Sequence, residues 1–100
     1  MSYILSMVMQ EKKHIEYMLD KYQKECNMLP KGSIYEKKSG EKIYYYLKYR
    51  EGNKVISRYV DKSKIDDVRS QVEKRKHVEA MIKYLQNELI IANRVLGGEV

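Results

Sequence analysis

The chain has no tryptophan, no phenylalanine, one cysteine and one proline, and it has no long apolar run. Each shortage excludes something. A lone Cys26 forbids an internal disulfide framework and fits a reducing compartment. The longest uninterrupted aliphatic stretch, Leu89-Ile90-Ile91-Ala92, is far shorter than the roughly 20 residues of a membrane helix. No basic segment precedes an apolar one near the start, and Gln10-Glu11-Lys12-Lys13 interrupts it early, so no secretory signal is expected. The expected location is the cytoplasm, with no membrane partner.

The catalytic vocabulary is equally thin. There is no C-x-x-C, no H-x-x-x-H and no glycine-rich phosphate loop, so neither a metal nor a cofactor is expected. His14 and His77 lie on separate helical segments with no set relation. Cys26 falls on an apolar helix stripe, where a buried thiol behaves as a small hydrophobe rather than a nucleophile. No catalytic residue is assigned and no enzyme is expected. At 100 residues, one small domain spanning 1–100 is expected, since such a chain buries only about 60–65% of its unfolded surface.

What is present is charge and tyrosine. Charged residues make up 34% of the chain, and all ten aromatic residues are Tyr, the ring that tolerates water at one end. Residues 1–30 carry four basic and four acidic groups, and residues 65–100 carry six of each. The formal charge of +6 therefore sits wholly in residues 31–64, which also hold six of the ten Tyr. Such asymmetry points to a polyanion, although a solvated lysine-rich surface has the same composition.

The hydrophobic period divides the chain into three. Residues 1–30 predict a helix: Leu5, Val8, Ile15, Leu19, Tyr22, Cys26 and Leu29 recur at steps of three and four, apart from the polar step at Lys12. Ser2 or Ser6 can cap its start, and Pro30 and Gly32 end it. Residues 31–62 alternate with a period of two and predict a three-stranded antiparallel meander, with turns at Ser39-Gly40 and Gly52-Asn53. Residues 63–96 predict a second helix, capped by Ser63 and stopped by Gly97-Gly98. Its stripe runs Ile65, Val68, Val72, slips near Arg75, and resumes as Val78, Ile82, Leu85, Leu89, Ala92 and Leu96. The fold class is α+β: long helix, meander, long helix.

A helix of about 32 residues spans roughly 48 Å, whereas a seven-residue strand spans about 23 Å. The sheet cannot cover the second helix. Val78, Ile82, Leu85 and Leu89 are therefore expected to meet the first helix, a second copy in a coiled-coil-like homodimer, or another protein, and the dimer is the favoured reading.

The turns set the register and so sort the side chains. With the turns above, Ile34 lies opposite Tyr45, Tyr35 opposite Tyr44, and Tyr49 opposite Ile56. One face is then mostly apolar: Ile34, Ile43, Tyr45, Leu47, Tyr49, Ile56 and Val60, with Glu36 and Arg58. The other holds Tyr35, Lys37, Lys42, Tyr44, Tyr46, Lys48, Arg50, Val55, Ser57 and Tyr59, with no acid. Cations neutralise phosphates and release counterions. Tyr rings stack on bases, or their hydroxyls bond phosphate and base edges. Cross-strand Tyr–Tyr and Tyr–Lys pairs can also do no more than stabilise a solvated sheet.

The stretch from Gly32 to Val60, with its Tyr44-Tyr45-Tyr46-Leu47 core, Gly52-Asn53 turn and following helix, resembles the three-stranded arm-type DNA-binding modules of mobile-element tyrosine recombinases. It is also similar to short prokaryotic proteins with a Leu-Pro-x-Gly-Ser signature, here Leu29 to Ser33. The resemblance covers about a third of the chain. It implies that the sheet docks on DNA through the Tyr/Lys face, and that this is a free-standing accessory protein, since no recombinase catalytic domain follows. The expected function is non-enzymatic binding of DNA or RNA through Tyr35, Lys37, Lys42, Tyr44, Tyr46, Lys48, Arg50 and Tyr59. The alternative is a protein-interaction module, such as a mobile-element-encoded regulator or an anti-CRISPR-like inhibitor of a larger nucleic-acid-processing enzyme.

Overall fold

The computed structural model describes residues 2–97. Helix α1 (Tyr3–Asn27) is followed by strands β1 (Ser33–Ser39), β2 (Lys42–Glu51) and β3 (Lys54–Val60), a 3-10 turn (Lys62–Lys64) and helix α2 (Ile65–Gly97). The α+β order of long helix, antiparallel meander and long helix is the one the periodicity predicts. No helix among the described residues is long and apolar enough to cross a membrane.

Ser2 caps α1, its side chain accepting the Leu5 N–H at 3.1 Å. Ser63, expected to cap α2, does not. Asp61, two residues earlier, instead caps the 3-10 turn ahead of α2, accepting from both the N–H and the hydroxyl of Ser63. These hydrogen bonds to the charged form hold the Asp61 carboxyl below the ordinary carboxylate range. An extra 3-10 turn thus precedes α2, and Asp66 and Asp67 still fall in its first turn, where the helix dipole favours them. Gly97 is helical, and Gly98 lies outside the described residues.

Both hairpins turn through two residues with glycine first. Gly40 (φ 64°) and Gly52 (φ 60°) have positive φ, and no non-glycine residue does among those described. This is the pattern of a type II′ turn, in which only the first central residue needs positive φ. The first turn is therefore Gly40-Glu41 and not Ser39-Gly40, because glycine must lead. The β1–β2 register moves by two residues: Ile34 pairs with Leu47 instead of Tyr45, and Tyr35 with Tyr46 instead of Tyr44. A shift of two leaves every side chain on its expected face. The β2–β3 register is the expected one, with Tyr49 opposite Ile56 and Tyr45 opposite Val60.

The chain divides into two compact units: Leu29–Lys76, and the described residues up to Met28 with those from His77 onward. In the first, Leu47 and Val60 of the sheet pack with Ile65 and Val72 of α2, joined by half-buried Ile34, Tyr45, Tyr49 and Val68. The Arg69 guanidinium lies 5.5 Å from the Tyr45 ring and 3.6 Å from Glu36, bracing α2 on this apolar face. Arg75 occupies the place where the α2 stripe slipped. It is half-buried, and it donates to the Leu29 carbonyl at 2.6 Å across 46 residues of sequence. Polar Arg75 therefore continues the stripe that its charge hides.

Gly32 has no substitute. At φ 112°, a Cβ there would lie 2.2 Å from the Lys48 carbonyl oxygen and 2.9 Å from the Tyr49 Cβ. The chain can enter β1 this close to β2 only without a side chain.

In the other unit, Ile15, Leu19 and Cys26 of α1 are buried with Val78 and Ala92 of α2. Gln23, Cys26 and Asn27 line a groove with Glu79, Ile82, Lys83 and Gln86. The end of α1 thus faces the start of this part of α2, and the two helices run antiparallel. Val78, Ile82, Leu85 and Leu89 lie on the stripe that α1 of the same chain covers: Val78 is buried and the other three are half-buried.

Candidate nucleic-acid interface

The two registers place Tyr35, Tyr46 and Tyr59 side by side, one on each strand. This row crosses the sheet on the face turned away from Leu47 and Val60. Tyr35 stacks on Tyr46, with ring centres 5.4 Å apart and planes at 17°. Tyr59 meets Tyr46 edge-on at 5.9 Å, and Tyr44 meets Tyr59 at 6.4 Å. The Tyr35 hydroxyl shares a hydrogen bond with the Ser57 hydroxyl, across the width of the sheet. The register error in the first hairpin hid this row, which has Tyr35 beside Tyr46 and not Tyr44.

Cations border the row on both sides. Lys48 lies in the next cross-strand row, between Ser33 and Ser57, and Arg50 lies beyond it opposite Val55. On the other side Lys37 pairs with Tyr44, and Lys42 with Ser39. All four cations are exposed. The rings differ: Tyr44 and Tyr46 are half-buried by their neighbours, while Tyr35 and Tyr59 are 39% and 55% exposed. The eight residues singled out from the sequence thus share one face, and no strand position on that face carries an acid.

Two groups join the face from outside the strands. A hollow of about 410 Å³ beside Tyr44 and Tyr59 is lined by Lys42, Glu41 and Lys62, among others. Lys62 belongs to the 3-10 turn, which strand alternation does not reach. Glu41 enters through the first turn, Gly40-Glu41, and is the one acid at the rim of this hollow among the described residues. Unit Leu29–Lys76 carries fourteen basic and seven acidic residues, whereas the helical unit has six of each among the described residues. The positive charge therefore belongs to the unit that carries the tyrosine row.

Among the described residues, no group of three or more His, Cys, Asp or Glu side chains is placed to hold a metal. His14 and His77 are both exposed helix residues. What the face offers is four exposed positive charges, π surfaces, and phenol hydroxyls that donate and accept.

No curated protein and no solved structure matches the chain. A family model does: DUF6788, a domain of unknown function, matches residues 9–70. That span takes in most of α1, the whole meander and the start of α2. With more than half of its length matched, the chain belongs to the DUF6788 family.

Proposed function

We propose that the protein binds nucleic acid, DNA or RNA, through the Tyr/Lys/Arg face of its sheet, without catalysis. The carrying observation is the row Tyr35–Tyr46–Tyr59, bordered by Lys37, Lys42, Lys48 and Arg50 on a face whose strands bear no acid. Lys and Arg on the two sides of the row suit phosphates, and the rings between them suit bases. A three-stranded ribbon also has the dimensions to enter a major groove. The resemblance to recombinase arm-type modules assigns DNA contact to the same face.

The ring contacts also stabilise the sheet, so Tyr46, wedged between two neighbours, serves both purposes. Tyr59 is the cleaner probe because it is the most exposed ring of the four. The test is fluorescence anisotropy with single-stranded and duplex oligonucleotides over a salt series. Replacing Lys42, Lys48 and Arg50 with Ala should weaken binding and flatten the salt slope by about 0.7–0.9 per lost phosphate contact. Tyr59→Ala should cost about 1–3 kcal/mol if the ring stacks on a base, with the slope nearly unchanged. Substitutions of Lys12, Lys13 and Lys83, in the neutral helical unit, should matter little. A folded triple variant that binds like wild type would refute the assignment, and so would a wild type that binds nothing at low salt. Either result favours a protein partner.

A further inference from the structure

The sheet is staggered. β2 begins at Lys42, whereas β3 ends at Val60, opposite Tyr45. Lys42, Ile43 and Tyr44 thus pair with β1 but lie beyond the end of β3. A two-residue turn is flanked by a hydrogen-bonded pair, and such pairs alternate along an antiparallel ladder. Lys42, Tyr44, Tyr46 and Lys48 therefore bond toward β1, and Tyr45, Leu47, Tyr49 and Glu51 toward β3. Ile43 belongs to the second set. Its N–H and C=O are turned to the β3 side, where the hollow of about 410 Å³ opens as the chain leaves β2.

The hollow has the size of a site for a nucleotide-sized group. Its charges are mixed, Lys42 and Lys62 beside Glu41. Among the described residues Glu41 forms no ion pair. A carboxylate repels phosphate, so a bare phosphate or a duplex backbone is served worse here than along the rest of the face. A carboxylate suits a partner with N–H donors, above all one with two of them side by side, because it accepts two parallel bonds. Guanine alone among the common bases sets two donors, N1–H and N2–H, next to each other on its pairing edge. Its O6 acceptor lies beside them, open to a backbone N–H. Adenine and cytosine place a ring acceptor beside their one amino group, and thymine and uracil offer one N–H between two carbonyls.

We infer that this hollow takes one unpaired guanine nucleotide of a single strand. The inference rests on the sheet face binding nucleic acid, and it names the substrate of that face. Glu41 accepts from N1–H and N2–H, the Ile43 N–H donates to O6, and Lys42 and Lys62 meet the phosphates flanking the nucleotide. Tyr59, the most exposed ring of the four, gives the base an aromatic wall, with Tyr44 inclined to it by 56°. A guanine inside a duplex has this edge engaged by cytosine, so the hollow selects single strands. The edge is the same in DNA and RNA.

The test is fluorescence anisotropy of the whole chain with labelled oligothymidine, either plain or carrying a central guanine or inosine, and with the matching oligouridine RNAs. Wild type should bind the guanine strand about tenfold or more tighter than the plain one. Inosine, which lacks the N2 amino group, should lose most of that preference. Annealing each strand to its complement should remove it. Glu41→Ala and Glu41→Gln should bring guanine and plain strands to equal affinity, with the fold checked by circular dichroism. Lys62→Ala should weaken both strands alike and flatten the salt slope by about 0.7–0.9, with the guanine preference kept. Guanine preference with either sugar supports the inference, and the tighter series identifies the strand as DNA or RNA. Strands bound without regard to guanine overturn the inference and leave the sheet-face reading standing. So does a preference that survives Glu41→Ala or persists in the duplex. A wild type that binds no oligonucleotide at low salt overturns both.

Discussion

Replacing a glycine with alanine usually mixes two costs, backbone strain and steric overlap, and the three glycines of the meander separate them. Gly40 and Gly52 have φ near +60°, but a Cβ at either would meet nothing within 4 Å. Gly40→Ala and Gly52→Ala should therefore cost only the strain of positive φ, about 1–2 kcal/mol each. Gly32 has the strain and a Cβ position 2.2 Å from the Lys48 carbonyl oxygen. An ordinary contact requires a separation of about 3.4 Å or more, so the chain must retreat by about 1 Å. The neighbouring backbone is the Ser33–Lys48 end of the β1–β2 ladder. Opening that end forfeits about 1 kcal/mol or more of hydrogen bonding. Gly32→Ala should thus cost about 3 kcal/mol in all. In a chain of this length that lowers the melting temperature by about 12–24 °C. Thermal and urea unfolding of the three variants, followed by circular dichroism, make the comparison. If Gly32→Ala proves no worse than Gly40→Ala, the close approach of β1 to Lys48 is wrong.

Three further outcomes are expected. Leu47→Ala, in the core between sheet and α2, should lose about 2–4 kcal/mol by urea unfolding, whereas Val55→Ala, on the exposed opposite face, should lose well under 1 kcal/mol. The Asp61 carboxyl has a folded pKa below its unfolded one, so its stabilisation is complete above the ordinary carboxylate pKa and is lost as pH falls through the folded value; Asp61→Ala should be less stable than wild type at neutral pH, and the difference should vanish in acid. Buried Cys26 should react with a thiol reagent at the rate of unfolding, and a native protein labelled as fast as free cysteine would contradict its burial.

The elements were legible because their periods differ, three to four in the helices and two in the strands, and because their punctuation is strong. Pro30 and Gly32 close one helix, two glycines mark the turns, and β-branched and aromatic residues fill the strands. What misled was local chemistry with two solutions. Ser39-Gly40 and Gly40-Glu41 are both plausible turns by composition, and only the need for positive φ at the first central residue chooses between them. Ser63 has the chemistry to cap α2, but Asp61 caps a 3-10 turn ahead of it and its carboxylate bonds Ser63 twice. The α2 stripe looks broken near Arg75 because its charge disguises a stripe position, although its spacing from Val72 and Val78 is regular. The tyrosine face survived the register error only because the slip was an even number of residues. Lys62 was missed because it follows the last strand.

The Arg75–Leu29 hydrogen bond joins the point where the chain enters the meander to the point where it leaves along α2. Closing a flexible loop of that length costs about 3 kcal/mol in chain entropy. Once the middle unit has formed, the segments on either side are already tethered, and their pairing carries no further closure cost of that size. The hairpins need only local contacts, whereas α1 must find partners more than fifty residues away. An order of assembly follows, middle first and ends second. Val72→Ala should then slow folding, while Leu19→Ala should mainly speed unfolding. Stopped-flow chevrons of the two variants would reverse that pattern if the helices paired first.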